Sequence, residues 1–72
     1  MILGFIGTGK ITTSVILGIS KSNIKYKKII ISPRNRKNAF YLKKNFKNIK
    51  IAKNNQEVIN HSNWVFLAIT PA

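Results

Sequence analysis

The stretch ILGFIGTGKIT, residues 2–12, decides how this chain folds. Residues 2–6 form a short, almost continuous apolar run, which is typical of a parallel strand buried on both faces. Gly7 and Gly9 interrupt that run two positions apart. From Lys10 onward the apolar residues take a helical period instead. The stretch therefore predicts a buried strand, a tight glycine turn and the start of a helix.

The helix after the turn is predicted from apolar residues that recur every four positions. Ile11, Val15 and Ile19, with Ile16 beside them, mark one face that we expect to pack against a sheet. The pattern fades between residues 20 and 23, where we expect the helix to end.

Three more apolar runs, alternating with helical patterns, occupy the rest of the chain. They predict strands over residues 28–32, 49–52 and 64–69. Pro33 closes the first of these, since proline cannot donate to a central ladder. Asn35 and Asn55 are suited to cap the two later helices. The alternation favours right-handed crossovers and one parallel sheet, so we predict an α/β fold, a partial Rossmann fold with strand order 3-2-1-4 and flanking helices.

The aromatic side chains of the later elements are interpreted as packing residues. The second helix is predicted to bury Ala39, Leu42 and Phe46. We expect Phe40 also to contact the sheet and Tyr41 to be partly exposed. Trp64 begins the fourth strand and is expected to pack in the core or at the sheet edge.

The composition is strongly basic, with 13 Lys and Arg against one acid, Glu57, and a formal net charge of +12. Such a charge attracts polyanions, so a small nucleic-acid-binding protein is one hypothesis. Lys, Asn and Ile are also residues that AT-rich codons encode, and a compositional bias of that kind explains the charge without such a partner. We favour the second interpretation, in which nucleic acid is not the expected partner.

The residue inventory excludes several classes of site. The chain has no cysteine, which rules out disulfides and thiolate metal sites, and its one histidine, His61, cannot hold a metal alone. We assign no catalytic and no metal-ligating residue. No apolar run approaches the roughly 20 residues of a membrane span, so we expect a cytoplasmic protein without a membrane partner.

The pattern Gly7-x-Gly9-x-x-Thr12 lies where dinucleotide-binding domains carry their phosphate-binding fingerprint, between a buried strand and a helix. The first glycine permits the tight turn, and the second lets the backbone approach a pyrophosphate. The helix N-terminus adds free N–H groups and a partial positive charge. Thr12 departs from the usual Gly or Ala, which we expect to loosen the packing or shift the helix. We interpret residues 1–72 as the N-terminal part of an NAD(P)-binding Rossmann domain.

The end of the second strand, SPRNR at residues 32–36, favours NADP over NAD. A site for NAD places Asp or Glu there to hold the ribose 2′-hydroxyl, and this segment contains no acid. Arg34 would bind a 2′-phosphate with paired hydrogen bonds, and Ser32 would donate another. The alternative is that Arg34 and Arg36 belong only to the general basic surface.

The end of the fourth strand, AITP at residues 68–71, is the third expected part of the site. In open parallel sheets, ligands bind beyond the carboxyl ends of the strands, where the strand order reverses. We expect the backbone of this segment to face the middle of the cofactor. Asn55 is expected at the same rim.

Four segments together resemble the pyrroline-5-carboxylate reductases: GFIGTGKIT at residues 4–12, ISPRN at 31–35, NNQEV at 54–58 and VFLAITP at 65–71. The resemblance extends in order over the whole chain. It implies NAD(P)H-dependent reduction of the cyclic imine pyrroline-5-carboxylate to proline, the last step of proline synthesis. It also implies cofactor contacts at Ile6, Gly7, Thr8, Gly9, Lys10, Ile11, Ser32, Arg34, Asn55, Ala68, Ile69, Thr70 and Pro71. Thr70 replaces a lysine common in that family, so a charge contact there is not carried over.

In that family, the second half of the nucleotide domain and a helical C-terminal domain complete the enzyme, and the C-terminal domain forms the dimer and the substrate pocket. These parts lie outside the 72 residues, so we expect no turnover by this segment alone. We also expect the fourth strand to form an exposed apolar edge that promotes aggregation. Hydroxyacid dehydrogenases and deazaflavin-dependent NADP reductases, which have a similar N-terminal domain, remain alternatives.

Overall fold

The computed structural model describes residues 1–7, 9–33 and 36–67. Strands and helices alternate along the chain as the sequence predicts. In chain order they are β1 (Ile2–Ile6), α1 (Lys10–Lys21), β2 (Lys28–Ile31), α2 (Arg36–Asn45), β3 (Ile49–Ile51), α3 (Asn55–His61) and β4 (Trp64–Leu67). The predicted cap Asn35 and the predicted continuation of β4 to residue 69 lie outside the described residues.

The four strands form one parallel sheet with the order β3-β2-β1-β4. This confirms the predicted partial Rossmann-like α/β fold and its strand order. Because side chains alternate along a strand, the sheet has two different faces. One face packs against α1 and α2 through Leu3, Phe5, Ile16, Ile29, Ile31, Ala39, Leu42 and Ile49. The other packs against α3 through Ile30, Ala52 and Val58, with Ile2 and Ile6 at the margin.

The buried face of α1 differs from the predicted one. Ile11 is 52% exposed and Val15 is exposed as well, whereas Thr12 and Ile16 have no exposed surface. Since adjacent helical residues are separated by about 100°, the buried face is rotated by one residue from the apolar pattern. Burial of a hydroxyl is tolerated because Thr12 Oγ1 donates a hydrogen bond to the Gly7 carbonyl oxygen.

Two aromatic residues that were expected to pack are instead exposed. Phe40 follows the buried Ala39 by one position, about 100° further around the helix, and is 63% exposed. Trp64 is 62% exposed on β4, an outer strand of the sheet. The prediction for Phe46 is confirmed, because its side chain packs against the core.

The β4 strand also confirms the expected exposed apolar edge. All four of its residues are exposed, although Phe66 stacks on Phe5 of β1 with ring centroids 5.0 Å apart. The aggregation expected from this edge stays a prediction. Within the described ranges, no helix has the length and apolar character needed to cross a membrane.

The N-cap of α3 is Asn54 rather than the predicted Asn55. The Asn54 side chain accepts a hydrogen bond of 2.9 Å from the Glu57 backbone N–H, and Asn55 is the first helical residue. An N-cap side chain bonds the N–H two or three positions further on. Glu57 lies three positions after Asn54, which fits Asn54 as the N-cap.

Residues of α3 and its C-cap lie very close to the sheet at Gly4. A Cβ atom at this position would lie 2.1 Å from Ser62 Oγ and 2.8 Å from Val58 Cγ1. A side chain on residue 4 therefore requires the end of α3 to move.

We expect Gly4→Ala to lower the free energy of unfolding by about 1–3 kcal/mol, because overpacking displaces α3. Chemical denaturation of the two proteins measures the difference. Gly18→Ala is the matched control: its added Cβ has no neighbour within 4 Å, and the change should stabilise α1 by about 0.5–1 kcal/mol. Equal stability of Gly4→Ala and the unmodified chain would show that the close approach is absent.

Candidate cofactor site

The two glycines of the β1–α1 turn have different structural roles. Gly7 is buried and has a φ of 96°, in a region that residues with a Cβ rarely adopt. Gly9 has an ordinary φ of −84°, and a Cβ added to it would meet nothing within 4 Å. Gly7 therefore allows the chain to turn, whereas Gly9 leaves open space next to the helix N-terminus. The φ of Gly7 agrees with its predicted role in the turn, while the approach of a pyrophosphate to Gly9 stays a prediction.

Side chains from two other elements hold the Gly7 backbone. The Gly7 N–H donates a 2.9 Å hydrogen bond to Ser32 Oγ, which follows β2. The Gly7 carbonyl oxygen accepts from Thr12 Oγ1, in the first turn of α1. Ser32 and Thr12 have no exposed surface. The loosening expected from Thr12 is therefore not found, since its side chain is fully packed and hydrogen-bonded.

Ser32 lies inside the turn rather than on its solvent side. Its backbone N–H donates to the Phe5 carbonyl at 3.0 Å, which fixes the end of β2 to β1. Its hydroxyl oxygen accepts from the Gly7 N–H, and a contact with a phosphate would have to use the hydroxyl hydrogen. The predicted contact between Ser32 and a ribose phosphate stays a prediction.

Among the described residues, no side chain caps the N-terminus of α1. Gly9 is the N-cap residue, its carbonyl accepts from the Thr13 N–H at 3.1 Å, and no acid occupies the first turn. The first N–H groups of a helix have no intrahelical partner, and the helix dipole places a partial positive charge beside them. The exposed Lys10 adds a full charge. These groups are suited to bind a phosphate.

Asn38 of α2 reaches the same turn, which the sequence analysis missed. Its side-chain amide donates to Thr13 Oγ1 at 2.9 Å and to the Gly9 carbonyl at 3.4 Å. Only the folded arrangement reveals this contact, because Asn38 lies on the polar side of an amphipathic pattern. The groove between the two helices has a volume of about 400 Å³ and is lined by Gly9, Lys10, Lys37, Asn38 and Tyr41.

A second groove lies where β2 and β3 end. Its volume is about 310 Å³, and it is lined by Pro33, Arg36, Ala39, Phe40, Ile51, Ala52 and Lys53. Cationic side chains therefore line both grooves. The sequence's single acid, Glu57, lies 3.6 Å from Lys50 and lines neither of them. A phosphate in these grooves meets no carboxylate.

The remaining predicted contacts fall into two groups. Ile6 ends β1 and is half-buried, Ile11 is exposed on α1, and Asn55 is exposed at the start of α3. Because β1 and β3 are parallel, the glycine turn and the segment that leads to Asn55 both follow strands that end at the same rim of the sheet. The predicted cofactor contact of Asn55 stays a prediction. Outside the described residues lie Thr8, Arg34, Ala68, Ile69, Thr70 and Pro71.

Backbone N–H groups, hydroxyls and cations make up this site in the described part of the chain, which suits it to bind and orient an anion. Comparison with known proteins gives one match and two negative results. The family model described as NADP oxidoreductase, coenzyme F420-dependent, matches residues 2–72. No curated protein and no solved structure gives a significant match. The chain therefore belongs to this family of NADP oxidoreductases, with the Rossmann-like fold and glycine turn of its nicotinamide-cofactor-binding domain.

Proposed function

We propose that the chain is the NADP-binding segment of a pyrroline-5-carboxylate reductase, which reduces pyrroline-5-carboxylate to proline in the cytoplasm. The observation that carries the cofactor half of this proposal is the turn at Gly7 and Gly9. It leaves open space beside an uncapped helix N-terminus, in surroundings that contain cations and no acid. The substrate half rests on the resemblance of residues 31–35, 54–58 and 65–71 to that family.

The cofactor pyrophosphate would bind at Gly9, where the backbone is open and the first N–H groups of α1 are free. Lys10 would add a charge contact. Residues 6–11 would form the phosphate loop, with Asn55 and residues 68–71 extending the contacts along the rim of the sheet. Bound NADPH would supply the hydride that reduces the imine, while this segment would hold the cofactor in place.

Preference for NADPH over NADH is supported by the charges at the end of β2. Arg36 and Lys53 line the groove there, and Arg34 lies next to it in sequence. An arginine binds phosphate in a bidentate manner, whereas a carboxylate at this position would repel it. We assign the 2′-phosphate to this basic end of β2, with Arg34 as its principal partner.

A deazaflavin-dependent NADP reductase is the second candidate, because coenzyme F420 appears in the description of the matching family. Both enzymes require the same NADP segment and differ in the second substrate. In the proposed enzyme, further domains would form the dimer and the pocket for pyrroline-5-carboxylate.

Cofactor binding is tested by titrating the 72-residue chain with NADPH and with NADH in a calorimeter. We expect saturable binding, with NADPH favoured by roughly 10- to 100-fold because one phosphate gains charge-assisted hydrogen bonds. The preference should persist at high salt. A polyanion-binding surface would instead lose its affinity for both nucleotides as salt rises, and that result would contradict the proposed site.

Gly9→Ala should weaken NADPH binding at least about tenfold, because the new methyl group occupies the space that the pyrophosphate needs. The free energy of unfolding should change little, since the φ of Gly9 suits alanine and its Cβ would meet no other described part of the chain within 4 Å. Gly18→Ala has equally open surroundings and should bind NADPH normally. Unchanged affinity in a folded Gly9→Ala variant would place the pyrophosphate elsewhere.

Two chimeras distinguish the candidate substrates. Residues 1–72 replace the matching segment of a pyrroline-5-carboxylate reductase in one host and of an F420-dependent NADP reductase in the other. We expect folded chimeras of both kinds to bind NADPH, with more of the host's activity retained in the first. Greater retention in the second host would favour the deazaflavin reductase.

A further inference from the structure

We propose that Thr12 and Ser32 are positioning residues, which hold the Gly7 backbone in the orientation that cofactor binding requires. This inference rests on the proposed cofactor site and identifies the side chains that hold its backbone in place. In the general dinucleotide-binding fingerprint, the position of Thr12 is occupied by a small residue that allows close packing. In this chain, the residue supplies a hydrogen bond as well.

The Gly7 backbone needs partners because it is buried. Buried N–H and C=O groups are almost always hydrogen-bonded, and a turn has no ladder to bond them. Ser32 Oγ accepts a hydrogen bond of 2.9 Å from the Gly7 N–H, and Thr12 Oγ1 donates one to the Gly7 carbonyl oxygen. These two bonds connect β1 to both β2 and α1 at a single residue.

The two bonds also determine which groups face a bound anion. The Gly7 N–H is already used by Ser32, so it is not offered to the pyrophosphate, whereas the first N–H groups of α1 have no intrahelical partner. The Gly7 carbonyl is held in the interior by Thr12, which has no exposed surface. A carbonyl oxygen released from this bond can turn toward the phosphates and repel them. The Thr12 hydroxyl therefore favours cofactor binding without touching the cofactor.

A consequence is that restoring the third residue of the general fingerprint is expected to weaken cofactor binding. Thr12→Ala recreates the small third residue but leaves the buried Gly7 carbonyl without its donor. Thr12→Val keeps the side-chain shape and also removes the hydroxyl. Thr12→Ser keeps the hydroxyl and removes only a methyl group.

The three Thr12 variants are compared with the unmodified chain by NADPH and NADH titration, under conditions where NMR spectra show each to be folded. We expect Thr12→Ala and Thr12→Val to bind both nucleotides roughly tenfold more weakly, with the NADPH-to-NADH preference unchanged. Thr12→Ser should stay within about threefold of the unmodified chain. The proposal would be overturned if folded Thr12→Val binds NADPH normally, or if Thr12→Ser binds it as weakly as Thr12→Val should.

Ser32→Ala tests the other half of the arrangement. Loss of a positioning bond should weaken NADPH and NADH binding by equal factors, whereas loss of a direct 2′-phosphate contact would weaken NADPH alone. The second pattern would overturn the positioning role of Ser32. This variant also keeps the proposal testable if Thr12→Val does not fold.

Hydrogen exchange at the Gly7 amide, measured without cofactor, separates this inference from the proposed function. We expect exchange to accelerate at least about tenfold in Ser32→Ala, because the amide loses its acceptor. Unchanged exchange would overturn the arrangement even if NADPH binds. Faster exchange in a chain that never binds NADPH would preserve the arrangement and reject the cofactor assignment.

Discussion

The positive φ of Gly7 is the constraint on which the rest of the site depends. It allows β1 to end and α1 to begin within a few residues, so that the N-terminus of the helix lies at the carboxyl edge of the sheet. Because of that sharp turn, the buried N–H and carbonyl of Gly7 have no partners in the sheet, and Ser32 and Thr12 supply their hydrogen bonds. The strand order contributes to the same arrangement, since β2 must lie beside β1 for Ser32 to reach Gly7.

The architecture was predictable because its signals are local and periodic. Apolar runs located the four strands, and the two glycines located the turn. The face of α1 was not predictable from apolar residues alone, since a threonine is buried there through a bond to the preceding turn. The exposure of Phe40 and Trp64 was missed for a related reason: apolar character does not by itself require burial. The cap of α3 carried a usable signal in the spacing between Asn54 and Glu57.

The site was predictable only where it is local in sequence. The turn at Gly7 follows from the fingerprint and has the expected positive φ, and the open space at Gly9 leaves room for its predicted role. The contacts of Asn38 and Ser32 with the turn span 25 residues or more, and no pattern in the sequence anticipates them. Ser32 illustrates the difference: it was chosen as a ligand for phosphate, and in the fold its hydroxyl accepts a bond from the protein backbone.

The pairing of Glu57 with Lys50 has a consequence for how the chain exists in solution. This carboxylate is the only acidic side chain in the sequence, so most of the 13 basic residues have no internal counterion. Mutual repulsion among them opposes the compact state. A multivalent anion that binds the folded state relieves this repulsion and raises the stability of that state by mass action. For this chain, the ionic composition of the surroundings contributes to folding directly, alongside the packing of its small core.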